Sequence, residues 1–149
     1  MKIILSSNSP RRKDLLAGLG VDFEVRVLKG VDERYPDDIP LNEVPLYIAI
    51  EKASAYTVAK DELVVTADTV VIVDNEILGK PKDRAEAYGM LCKISGKTHQ
   101  VVTGVCLTTI DDQRSFTVTT DVEFKELSDN EIYYYIDKYR PFDKAGAYG

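Results

Sequence analysis

At 149 residues the chain has the length of one domain of ordinary size, able to bury a hydrophobic core. Its 44% hydrophobic and 30% charged residues exclude disordered and fibrous classes. The 19 basic against 25 acidic side chains give a net charge of -6, which argues against a broad footprint for a nucleic-acid polymer and leaves room for a local basic pocket for a small polyanion.

Met1 leads into Ile3-Ile4-Leu5, an apolar stretch too short for a signal-peptide core or a membrane span, so a cytoplasmic protein with no membrane partner is expected. Lys2 to Ser6 reads as a first strand. Ser9-Pro10 then has the pattern of an N-cap followed by proline at the first helical position, with a stop at Gly18 or Gly20. Val21 to Leu28 resembles a second strand, and Lys29 to Pro45 a polar loop carrying Asp32, Glu33, Asp37 and Asp38; long loops in compact domains are often functional. Leu46 to Lys60 reads as a helix with Leu46, Ile50 and Ala53 at helical spacing.

The β-branched run Val64 to Val73 reads as a central strand that turns through Asp74-Asn75 into Glu76-Ile77-Leu78. Gly79-Lys80-Pro81 ends that hairpin, and Asp83 is placed to cap a helix through Ile94. His99 to Ile110 and Ser115 to Phe124 read as two further strands joined at 111–114. Ser128 and Glu131 have capping-box spacing for a helix to about Tyr139, and Pro141 to Gly149 reads as a loop. Helices interleave with strands while two hairpins rule out a purely parallel sheet, which gives α/β or α+β with a mixed sheet.

The strongest chemical signal is Asp68 inside that apolar run, where an unpaired carboxylate costs several kcal/mol or is driven to stay protonated. A metal ion, a cationic partner or a catalytic cleft would hold it there; so would backbone N–H groups in a strand kink. Ser6 to Arg12 joins a strand to a helix N-terminus, where free N–H groups favour an anion. Ser7, Arg11 and Arg12 add hydroxyl and guanidinium donors suited to phosphate. The bland alternative is a capped helix with solvated arginines. Glu33 could join Asp68 in holding Mg²⁺ or stand as a solvated loop charge, and Lys52 could neutralise phosphoryl charge or simply snorkel. Lys80 precedes a proline, which favours extended backbone and would aim it across a cleft.

Other signals are discounted. Gly96-Lys97-Thr98 lacks the first glycine of a Walker motif, His99 stands near no nucleophile motif, and Tyr133-Tyr134-Tyr135 suits packing better than base stacking. Cys92 and Cys106 lack metal-ligand spacing and read as reduced thiols.

Taken together, Ser7-Asn8-Ser9-Pro10-Arg11-Arg12, Glu33, Glu51-Lys52-Ala53, Ala67-Asp68-Thr69-Val70, Gly79-Lys80-Pro81, Ser95-Gly96 with His99 and Thr103-Gly104, and Asp143 to Gly149 resemble the Maf family of nucleoside triphosphate pyrophosphatases in order and spacing. The resemblance implies a single domain over 1–149, an α/β mixed sheet with flanking helices and two lobes around a deep cleft, similar to inosine triphosphate pyrophosphatases. Family members generally continue past the stretch matching Asp143 to Gly149, so the C-terminal part of the family domain is absent from these residues. The resemblance further implies Mg²⁺- or Mn²⁺-dependent cleavage of dTTP and UTP to a monophosphate and pyrophosphate, and a homodimer. In these terms Asp68 is the base, Lys52 and Lys80 assist catalysis, Ser7, Arg11, Arg12 and Thr69 bind substrate, and Glu33 and Asp68 hold the metal. The rival reading, from the family's association with septum formation and cell division, is a nucleotide-binding regulator without turnover.

Overall fold

The computed structural model describes residues 1–149, and its element order begins with the expected strand–helix pair: β1 (Lys2–Leu5), then α1 (Pro10–Gly18). Ser9 caps α1 by accepting from the Arg12 N–H, and Pro10 sits where a missing N–H costs nothing. β2 (Phe23–Val25), α2 (Val44–Ser54), β3 (Glu62–Val73), β4 (Glu76–Leu78), α3 (Arg84–Ile94), β5 (Thr98–Thr108), β6 (Gln113–Glu123) and α4 (Asp129–Tyr139) follow. The strand order is β2-β1-β3-β5-β6, with β4 paired to β3. β1 runs parallel to β2 and β3, whereas β4 is antiparallel to β3, so the sheet is mixed as expected. No helix is long and apolar enough to cross a membrane.

Four expectations shift. The strand expected over Val21 to Leu28 is only Phe23–Val25, because its ladder partner is the three-residue stretch Ile3–Leu5 of β1. The loop expected to run to Pro45 ends earlier, in a 3₁₀ turn at Leu41–Glu43. α2 starts at Val44 with Pro45 in its first turn, where proline is tolerated. That helix stops at Ser54 rather than Lys60: Ala55 and Tyr56 close it with tight bonds to the carbonyls of Lys52 and Ala53, at 3.2 and 3.1 Å. The terminal loop is a packed turn, Ala145–Ala147, with Ala147 fully buried.

The chain forms two compact units. The first is Met1–Asp68 with Thr103–Val118, and the second is Thr69–Val102 with Thr119–Gly149. In the first unit, α2 packs with Ala49 and Ala53 on Cys106 of β5. Gly104 allows a close approach there, since a Cβ on it would lie 2.4 Å from the Leu46 backbone N.

In the second unit, Val71, Val73 and Leu78 of the β3–β4 hairpin form a core with Ala87, Leu91 and Ile94 of α3 and with Ile132 and Ile136 of α4. Asp74 and Asn75 turn that hairpin with φ of 49° and 60°, the left-handed pair that a two-residue connection requires. The capping box on α4 is formed in both directions between Ser128 and Glu131. Tyr133 stacks on Tyr88 beneath the Arg84 guanidinium, so it serves packing.

Candidate functional site

Parallel pairing fixes where the candidate site begins. Leu5 of β1 pairs with Val65 of β3, and the Ser6 N–H donates to the Val65 carbonyl at 3.0 Å. Past that point β1 gives way to the turn leading into α1, while β3 continues through Thr66, Ala67 and Asp68. Two segments therefore leave the carboxyl end of β1 side by side, the place where open α/β sheets gather their ligand sites.

The alternation of burial along β3 changes phase here. Glu62, Val64 and Thr66 are buried, then Ala67, then Val70, Val71 and Val73, while Asp68 and Thr69 are both half-buried. A regular strand would send these two neighbours to opposite environments.

From α2, the Lys52 side chain reaches the strand and its Nζ donates to the Ala67 carbonyl at 3.1 Å. The same ammonium lies 3.3 Å from Glu33 Oε1 and 3.6 Å from Asp68 Oδ1, so one cation is shared between two carboxylates. Both separations are longer than the 2.6 Å of the surface pair Arg26–Glu24. The Lys52 and Asp68 side chains are only 16% and 18% exposed, whereas Glu33 is 60% exposed. Arg12, from α1, meets the same carbonyl: its Nη1 donates to the Ala67 carbonyl at 3.3 Å and to Ser7 Oγ at 3.5 Å. Ser7 is buried and also accepts from the Ser9 N–H at 3.0 Å.

Burial pushes the Asp68 carboxyl above the usual carboxylate range. Lys52 and Arg12 pull it down and Glu33 pushes it up, but desolvation dominates. Burial likewise lowers Arg12, offset by Asp68 and reinforced by the neighbouring Arg11. A half-buried carboxylate raised in this way is closer to a proton acceptor than an exposed one would be.

Ser7, Arg12, Glu33, Lys52 and Asp68 are thus brought together in the first unit. Arg11 is exposed on the adjoining helical position, near enough to repel Arg12. Thr69 is half-buried and Lys80 exposed, just past β4; both belong to the second unit. His99 is buried against Phe124 and Tyr148, with the Tyr148 hydroxyl on its Nε2, and takes no part in the first-unit cluster.

Sequence reasoning missed the Ala67 carbonyl, because a backbone acceptor for two cations leaves no mark in residue type. It also missed Thr66, whose hydroxyl amid an apolar run was the available signal.

The donor set suits a hard divalent cation. Mg²⁺ takes one or two carboxylates and completes its shell with water and phosphate oxygens, and Asp68 and Glu33 already converge on one cation.

A curated dTTP/UTP pyrophosphatase of Phocaeicola vulgatus is 60% identical over 150 residues, covering 99% of this chain and 78% of the relative. One from Parabacteroides distasonis, also named dTTP/UTP pyrophosphatase, is 56% identical with the same coverage. Among solved structures, a Staphylococcus aureus Ham1 protein matches with a TM-score of 0.53 at 16% identity, covering 83% of this chain and 71% of that one. A HAM1 protein from Coxiella burnetii matches at 0.52 and 14%, covering 83% and 72%; at such identities the likeness concerns the fold. The family model described as Maf-like protein matches residues 2–149, and the chain belongs to that family.

Proposed function

We propose that this chain hydrolyses nucleoside triphosphates, dTTP and UTP first, to a monophosphate and pyrophosphate with the help of Mg²⁺ or Mn²⁺. The observation that carries the reading is the sharing of the Lys52 ammonium among Asp68, Glu33 and the Ala67 carbonyl, with Arg12 on the same carbonyl. Relatives named dTTP/UTP pyrophosphatase at 60% and 56% identity support the substrate choice.

Cleavage at the α-phosphorus requires an oriented water, neutralised phosphate oxygens and a stabilised leaving pyrophosphate. In this reading Asp68 orients the water and accepts its proton. Lys52 and Arg12 face the phosphate oxygens, and the Ser7 hydroxyl and α1 N-terminus hold one phosphate.

Within the cluster the two carboxylates balance the two cations, so a triphosphate would enter with little surplus positive charge to meet it. A divalent cation held by Asp68 and Glu33 would supply that charge. The roles of Thr69 and Lys80 are tested separately, by Thr69→Ala and Lys80→Ala, read as the KM for triphosphate.

Pyrophosphate release across a panel of nucleoside triphosphates, with Mg²⁺ or with chelator, tests the reading. Turnover of dTTP and UTP that chelator abolishes is expected; binding without turnover of any nucleotide would reject it. No observation favours the regulator without turnover.

A further inference from the structure

Thr66 is completely buried, and its hydroxyl donates to the Ala49 carbonyl of α2 at 2.7 Å, with the Cys106 carbonyl 3.5 Å away. Ala49 lies inside α2, so its carbonyl is the regular acceptor for the Ala53 N–H and does not need the threonine. An alanine or valine in this apolar setting would bury no hydroxyl that must find a partner. The hydroxyl is therefore an added tie between helix and strand.

Its location gives it a consequence. Lys52 follows Ala49 by one helical turn, and Asp68 follows Thr66 by two residues along β3. The Thr66–Ala49 bond and the Lys52–Ala67 bond thus form two successive ties between α2 and β3. Together with the packing on Cys106 and Gly104, these two ties restrain the helix against rotation and travel along the strand. Gly104 and the small side chains Ala49 and Ala53 hold the helix close enough for both to form.

We propose that Thr66 is a positioning residue for the proposed hydrolysis: it sets the height and rotation of α2 so that the Lys52 ammonium rests between Asp68, Glu33 and the Ala67 carbonyl. The kinetic consequence rests on the function proposed above, and the structural one does not.

Thr66→Ala and Thr66→Val remove the hydroxyl, and Thr66→Ser keeps it. Crystal structures of the nucleotide-free variants are expected to show Lys52 Nζ withdrawn from the Ala67 carbonyl in the hydroxyl-free proteins and in place in the serine variant. Kinetically, Thr66→Ala is expected to lower kcat about tenfold with KM within about twofold, as small misplacements of a reacting group do, and Thr66→Ser to restore kcat. In a Lys52→Ala background the same Thr66→Ala change is expected to alter kcat by less than about twofold, since its effect passes through Lys52.

Equal loss of kcat in both backgrounds, or an undisturbed Lys52 in the hydroxyl-free structures, would overturn the proposal and leave Thr66 a bond of stability alone. If either hydroxyl-free variant does not fold, the other carries the test. Should the wild-type chain turn over no triphosphate, the functional reading falls while the crystallographic comparison still decides the role of Thr66.

Discussion

Asp68 is held in the folded protein against its own solvation. Its carboxyl is raised chiefly by burial, so the folded state favours the protonated form relative to the unfolded chain. The sign follows from linkage: stability is greatest below the ordinary carboxylate range and is lost as pH rises through the raised value. Asp68→Asn, which cannot ionise, is therefore expected to melt higher than the wild type at neutral pH in chelator. The gap should close in acid, below the unfolded carboxylate pKa; thermal melts at several pH values check this, and a variant that melts lower throughout would contradict it. Asp68 stood out in the sequence because a charge inside a β-branched run is costly wherever it sits. Glu33 did not stand out alone, since an exposed loop carboxylate is common, and only the distance to Lys52 gives it meaning.

Elements were legible where local signals agreed. The Ser9-Pro10 start of α1, the Asp83 cap of α3 and the Ser128 capping box of α4 all appear where the residues placed them. Ser128→Ala is expected to destabilise by about 1 kcal/mol, as loss of an N-cap hydroxyl does, measured by denaturant unfolding. The boundaries of α2 and β2 were less legible because tertiary partners set them: the short β1 ladder ends β2, and tight closing bonds end α2 before the alanines beyond Ser54 can extend it.

Gly104 makes the same point from the opposite side. No local structural signal explains the glycine, yet a Cβ there would meet the Pro45–Leu46 backbone at about 2.5 Å. Gly104→Ala is accordingly expected to displace the start of α2 and to lower both the melting temperature and kcat. Unchanged values would mean the helix yields without cost.

At the scale of the whole molecule, interleaved helices and two hairpins were enough to call for a mixed sheet, because connection length and strand pattern constrain topology more tightly than they constrain side-chain geometry. What the sequence alone could not supply was convergence: Ser7, Lys52 and Asp68 come from three separate segments, brought together by the parallel β1–β3 register and the seating of α2. If this convergence serves a triphosphate, dTTP with Mg²⁺ and Asp68→Asn should raise that variant's melting temperature through binding, as any ligand preferring the folded state does. The most direct measurement is pyrophosphate release from dTTP by the wild-type chain and by Asp68→Asn, each beside its nucleotide affinity. A fall in kcat of at least about a hundredfold with affinity retained is expected for a general base; equal turnover by the two proteins would contradict the assignment of Asp68.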